Sequence, residues 1–454
     1  MDFAKDRFRR ISALLLAVSL LLGAGSGCAY AFSIDSWTPY GDMGLYVVEL
    51  NSGTVLASNR EDERMYPGSL TKVMSAMVSL DLCGEDETVT ITAEMLEMVG
   101  YDSSVADLLE GETLSVRELL YASLIPSGND AAISLAVYAG SKIAGEGASA
   151  QECCEAFVSA MNDKRGELGM SGTHFANADG YDDWSNYSTP RDMAVMAQAA
   201  VRYELIKRIC SMDRVSITTN LDTHTWYTTN LLHTEVYYEW GTEYENGFYI
   251  PCVDGIKTGY TDMGQRCLLF SFSSEGMDVI GAMLNVPTDD MDEIWHRSYA
   301  LVNEVVSELC IQYPVNDDNR RTDLAVANHA LFSDKTVTLW AEEDLVFIGE
   351  KQLCSEGLEW HLEYDPQYIE VLKRGRLKLL GPLKAGDSPA SMVFTSVKDG
   401  SVQAVVRLVT VEDFRIFSWP DILFIAVAAL FAVSMVLGIR RRMRQSRTRR
   451  RNAR

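Results

Sequence analysis

Apolar residues recur at helical spacing over 70–80, 116–124, 131–143, 191–209 and 290–311, while 43–49, 54–58, 253–260, 266–273 and 277–285 read as strands. Strand runs at both ends of a helical cluster predict an α+β domain over 32–313, an antiparallel sheet with helices packed against it. One helix start is explicit: Thr189 as cap, Pro190 at the first position and Asp192 completing a capping box. A polar, turn-rich stretch at 314–321 reads as a linker. Beyond it Leu358, Trp360, Leu362 and Tyr364 alternate with Glu359, His361, Glu363 and Asp365. With strand runs at 336–340, 392–397 and 402–411, and turns at 385–387 and 398–400, this predicts a small all-β domain over 322–413.

The two ends read differently. Lys5, Arg7, Arg9 and Arg10 precede an apolar run from Ile11 to Leu22 and then Ala29-Tyr30-Ala31, the pattern of a signal peptide (1–31) cleaved after Ala31. Cys28 raises the alternative of a lipoprotein, against which stands Gly25 three residues earlier. From Ile422 to Ile439 there are 18 residues without a charge, about 27 Å of helix. The expectation is one transmembrane helix over 420–439. Nine arginines and no acid follow in 440–454, a cytoplasmic tail by the positive-inside rule, leaving the main body of the chain outside the cell membrane.

Charge sharpens that division. The chain carries a net −24, yet residues 32–439 hold 27 basic against 62 acidic side chains, a net of −35. Such a body disfavours nucleic acid, and the arginine tail fits anionic lipid head groups better than DNA or RNA. Eight cysteines remain after leader cleavage, with pairing open. The six histidines are scattered, and no paired Cys or His spacing of metal-binding kind occurs, so neither a metal nor another cofactor is expected. His174 reads as a structural hydrogen-bonding residue.

The candidate chemistry lies in three short motifs: Ser69-Leu70-Thr71-Lys72, Ser127-Gly128-Asn129 and Lys257-Thr258-Gly259. Pro67-Gly68 places Ser69 at a helix start, with Lys72 three residues on and on the same face. A serine hydroxyl needs a base, and a lysine serves only when neutral, its pKa lowered by burial or by a neighbouring cation such as Lys257. The other reading is a serine cap followed by a surface lysine. Ser127 falls on a short loop between two apolar helices, facing a cleft; the alternative is that Ser127 or Asn129 caps the second helix. Lys257 and Thr258 end a strand where they can grip an anionic group, and Gly259 admits a substrate backbone. A surface hairpin is the other possibility.

With Thr173-His174-Phe175-Ala176-Asn177 to Gly180, Tyr187-Ser188-Thr189 to Ala194, and Val253 to Thr261, these motifs resemble the serine-type D-alanyl-D-alanine carboxypeptidases, the low-molecular-mass penicillin-binding proteins of peptidase family S11. The likeness runs from roughly Trp37 to Tyr313 and implies the serine β-lactamase-like transpeptidase fold. It further implies that Ser69 is acylated by the penultimate D-Ala carbonyl of a peptidoglycan stem peptide, or by penicillin. Lys72 would be the general base, and Ser127 would relay a proton to the departing D-Ala. Asn129 would hold the acyl chain, Lys257 and Thr258 the terminal carboxylate, and the Ser69 and Tyr260 N–H groups the oxyanion. The second domain resembles the family's C-terminal domain, which would lift the site from the membrane or meet wall-synthesis proteins. Thr261-Asp262-Met263-Gly264 departs from the small Ala-Gly pair more usual there, which bears on substrate preference. A chemically silent penicillin-binding scaffold, a DD-endopeptidase and a β-lactamase are the alternatives.

Overall fold

The sheet is built from strands apolar on both faces. β1 (Gly44–Glu49), β2 (Val55–Asn59), β3 (Val253–Thr261), β4 (Gln265–Ser274) and β5 (Met277–Val286) pair antiparallel in the order β2-β1-β5-β4-β3. Side chains alternate between two cores, as the period of two requires. Cys267, Leu269, Ile280, Ala282 and Leu284 enter the helical core, while Leu268, Phe270, Phe272, Val279 and Met283 face the opposite way. Phe270 sits opposite Gly281, where a Cβ would lie 2.0 Å from its ring.

The computed structural model describes residues 43–239, 242–288, 290, 292–312, 315, 320–329, 335–342, 345, 347–351, 358–397, 402–416 and 421–436. The predicted leader and arginine tail lie outside these, as do residues 417–420 and 437–439 of the predicted span and its approach. The chain divides into two compact units. The first runs to Ile311 and takes in 348–351; the second covers the remaining later residues.

In the first unit, α1 (Thr71–Leu82) is buried on all sides from Thr71 to Ser79, as expected of a helix at the centre of a core. Around it lie α2 (Val116–Leu124), α3 (Asn129–Ala144), α4 (Ala150–Glu167), α5 (Pro190–Ala200) and α6 (Glu204–Cys210). α7 (Glu293–Glu308) covers the other face of the sheet through Ile294, Trp295, Leu301, Val302 and Val305. α3 and α4 approach so closely that a Cβ on Gly140 would lie 1.9 Å from the Cys153 carbonyl oxygen.

Three details differ from the sequence reading. The run 191–209 is two helices, broken where the Tyr203 hydroxyl bonds Asp81 and Lys164 at 2.8 and 2.9 Å. α4 was not expected, since only Cys153, Phe157 and Met161 form its buried stripe. Its Ser149–Glu152 capping box was the available signal. Thr189 does cap α5, but the Asp192 carboxylate turns to Gly172 N and Thr173 Oγ1 instead of closing a box.

The second unit holds β6 (Arg321–Ala325), β7 (Thr336–Ala341), β8 (Leu358–Tyr364), β9 (Ala390–Ser396) and β10 (Val402–Thr410), ordered β6-β7-β10-β9-β8. Its core gathers Leu324, Val337, Leu339, Met392, Phe394, Ala404, Val406 and Leu408. On the edge strand β8 only Leu362 and Tyr364 pack against that core, and Trp360 is exposed. Residues 421–436 are helical with their apolar side chains exposed. Among the described residues no helix is long and apolar enough to cross a membrane.

Candidate active site

A 3₁₀ turn, Gly68–Leu70, leads directly into α1 and carries Ser69. Lys72, on the first turn of α1, is wholly buried, so it is not the surface lysine of the alternative reading. Its Nζ donates to Ser69 Oγ at 2.8 Å and to the Asp179 carbonyl at 2.6 Å. That carbonyl belongs to the segment 173–188, which is tied down by backbone bonds between His174 and Tyr187 and between Met65 and Ser188. Ser75, one turn beyond Lys72, donates to the neighbouring Ala178 carbonyl at 2.5 Å. Gly180, at φ +82°, lies flush on the nucleophile turn: a Cβ there would fall 1.9 Å from the Gly68 carbonyl oxygen. His174 Nδ1 meets the Ser185 carbonyl at 2.7 Å, a structural bond as anticipated.

Ser127 stands on the loop between α2 and α3 at φ +68°, a left-handed conformation uncommon outside glycine. Gly128 N bonded to Ala122 O, and Asn129 N bonded to Ser104 O, hold it there. Neither Ser127 nor Asn129 caps α3; the cap position is Gly128, without a side-chain bond. The Asn129 side chain is buried, its Nδ2 donating to Ser103 Oγ at 3.0 Å. Its Oδ1 is a buried acceptor with no partner among the described residues, ready for a ligand N–H. Asp130 accepts from Ala106, Leu108 and Ala131 N–H groups, which fixes the facing loop.

β3 is an edge strand, so one side of its backbone is open to the site. A Cβ on Gly259 would lie 3.1 Å from the Pro67 carbonyl oxygen and 3.3 Å from Ser69 N, so this edge runs beside the nucleophile turn. Tyr260 N is near the same turn, 3.6 Å from where a Gly68 Cβ would stand. Lys257 is also buried, its Nζ donating to the Thr258 carbonyl at 3.0 Å, and is not part of a surface hairpin. Thr258 Oγ1 lies 2.5 Å from Thr229 Oγ1. Thr229, Asp130 and the Asp179 carbonyl had no individual signal in the sequence.

Burial pushes the Lys72 amine down to about 8, against the opposing pull of Asp179 and Asp130. Lys257 is held well below the ordinary lysine range, first by burial and then by the charge of Lys72. Of the two routes the sequence allowed for Lys72, burial or a neighbouring cation, burial is the first cause of the shift.

These parts are those of a serine acyl-transfer hydrolase with a buried lysine bonded to its serine. A family profile described as D-alanyl-D-alanine carboxypeptidase matches residues 44–288. The D-alanyl-D-alanine carboxypeptidase of Streptomyces sp. (strain K15) is 31% identical over 310 residues, 65% of this chain and 100% of that protein. DacF of Bacillus subtilis (strain 168), of the same description, is 30% identical over 417 residues, 90% of this chain and 95% of its own. The crystal structure of DacD from Francisella tularensis superposes with a TM-score of 0.63 at 20% identity, covering 82% of this chain and 93% of that one, a likeness of fold. The chain belongs to the D-alanyl-D-alanine carboxypeptidase family.

An amine titrating near 8 passes from ammonium to free base across pH 7–9. Acylation of Ser69 by a fluorescent penicillin should therefore quicken about tenfold per unit below the midpoint and level off above it. Stopped-flow labelling from pH 6 to 9.5 measures this, and a profile flat through pH 8 would exclude Lys72 as proton acceptor.

Proposed function

We propose that Ser69 is the nucleophile and Lys72 the general base of a serine-type D-Ala-D-Ala carboxypeptidase acting on peptidoglycan stem peptides. The observation carrying this assignment is the 2.8 Å bond between Ser69 Oγ and a fully buried Lys72 Nζ. Carboxypeptidase chemistry and β-lactam binding accord with the family. Ser69 Oγ attacks the penultimate D-Ala carbonyl while Lys72 takes its proton, and the Ser69 and Tyr260 N–H groups receive the developing oxyanion. Ser127 passes a proton to the amine of the leaving D-Ala, and water then frees the shortened peptide from Ser69. The Asn129 side chain holds the acyl peptide's amide. Gly259 keeps the strand edge low enough for that backbone to lie along it.

Lys257 and Thr258 receive the terminal carboxylate. Burial lowers the proton affinity of Lys257, and an arriving anion within about 4 Å raises it again. A substrate carboxylate thus favours the charged form of Lys257, and that charge in turn disfavours a proton on Lys72. The two amines divide their work by which of them faces the carboxylate.

The reading extends to location. Export with cleavage after Ala31, a single span over 420–439 and a cytoplasmic arginine tail would leave both folded units on the outer side. Supporting this are the uncharged run Ile422–Ile439 and the nine arginines that follow it.

Incubated with a stem pentapeptide ending in D-Ala-D-Ala, the protein should release one alanine, seen by mass spectrometry as a tetrapeptide product. Ser69→Ala should abolish release, and undiminished turnover in that variant would overturn the assignment. The full chain should resist carbonate extraction from membranes, whereas a chain ending at residue 416 should partition to the soluble fraction. Full-length protein found in the soluble fraction would contradict the span.

A further inference from the structure

Trp184 is 79% exposed at the rim of the site, on a loop that is otherwise braced. Gly180 at one end abuts the Gly68 carbonyl, and Asn177 donates to the Tyr181 carbonyl at 2.9 Å. Asp182 accepts from Met263 N at 3.2 Å, and Asp183 accepts from Ser185 N at 2.7 Å. The indole meets the Tyr66 ring edge-on, centroids 6.0 Å apart at 80°, and is otherwise largely open to solvent.

Its position follows from the direction in which substrate must lie, and the inference rests on the proposed function. With the carboxylate at Lys257 and Thr258 and the oxyanion beside Tyr260, the acyl chain leaves toward 261–264. There Gly264 lies against Tyr66, a Cβ on it falling 2.7 Å from the Tyr66 carbonyl oxygen, Met263 N bonds Asp182 of the Trp184 loop, and the Tyr66 ring meets Trp184. An extended peptide rises about 3.4 Å per residue, so the three residues preceding the scissile D-Ala cover about 10 Å. Past them a stem peptide is joined through a lactyl group to an N-acetylated aminosugar.

We propose that Trp184 is a positioning residue for that sugar: the C–H face of the pyranose stacks on the indole while Asp182 and Asp183 accept hydroxyl hydrogens. The flanking chemistry favours this occupant. Carboxylates beside the ring repel anionic wall polymers. Asp182, Asp183 and Ser185 beside the indole supply polar groups suited to the hydroxyls of a sugar. The chain would then distinguish glycan-linked stem peptide from free peptide by affinity.

The test compares steady-state turnover of free pentapeptide and of the disaccharide-linked pentapeptide by the full chain in detergent, with Trp184→Ala and Trp184→Phe. The native protein should show a lower KM for the sugar-linked substrate. Trp184→Ala should raise that KM about tenfold at constant kcat, and Trp184→Phe should recover part of it. The free peptide should be turned over equally by all three. Equal KM for the two substrates in the native protein, or equal losses on both in the alanine variant, would overturn the proposal. A second readout needs no turnover. Peptide-free disaccharide should quench the fluorescence of the Ser69→Ala protein but not of the Ser69→Ala/Trp184→Phe protein. Absence of that difference refutes the sugar site even if the enzyme proves a carboxypeptidase, and its presence upholds the site even if turnover fails.

Discussion

A lysine amine enclosed by protein and bonded to a serine hydroxyl is the constraint on which the rest depends. Taking an ammonium out of water is costly, and the cost appears here as a depressed proton affinity. The fold accepts that cost by giving Nζ two oxygen partners, Ser69 Oγ and the Asp179 carbonyl. The first places the base on the nucleophile. The second requires 173–188 to lie against α1, which Ser75, Gly180 and the bonds between residues 65 and 188 secure. A side chain at Gly180 would separate that segment from the nucleophile turn.

The sheet supplies the other wall. Because β3 lies at an edge, its backbone is free on one side, an arrangement suited to peptide addition and otherwise hazardous for a soluble body. At Gly259 the edge lies close against the Pro67–Ser69 turn, where a side chain would meet the Pro67 carbonyl. Lys257 joins this strand to the buried lysine through charge, since each proton added to one amine disfavours the other.

Much of this was legible beforehand. Ser69 and Lys72 are three residues apart on a helix start, which makes them neighbours in any fold. The strands 253–260 and 266–273 were legible because β-branched and aromatic residues run between turn signals, and their register follows. The helical bundle was less so. α4 presents a stripe of three side chains among charged residues, and no hydrophobic period stands out at that width. What gives Lys72 its second partner is a main-chain carbonyl, at Asp179, and a carbonyl leaves no mark on residue identity. Asp192 fitted a local pattern yet was taken by Gly172 and Thr173, a tertiary bond overriding a helix-end preference. Burial was one of two causes the sequence allowed for the Lys72 shift, and it is the leading one; its depth cannot be read from a motif.

The most direct measurement is titration of the Lys72 amine itself in protein carrying ¹³C-labelled lysine, its resonance assigned by loss in Lys72→Arg. The account requires a midpoint near 8. A midpoint at the ordinary lysine value of 10.5 would show that the amine is solvated, and would remove the base from the mechanism.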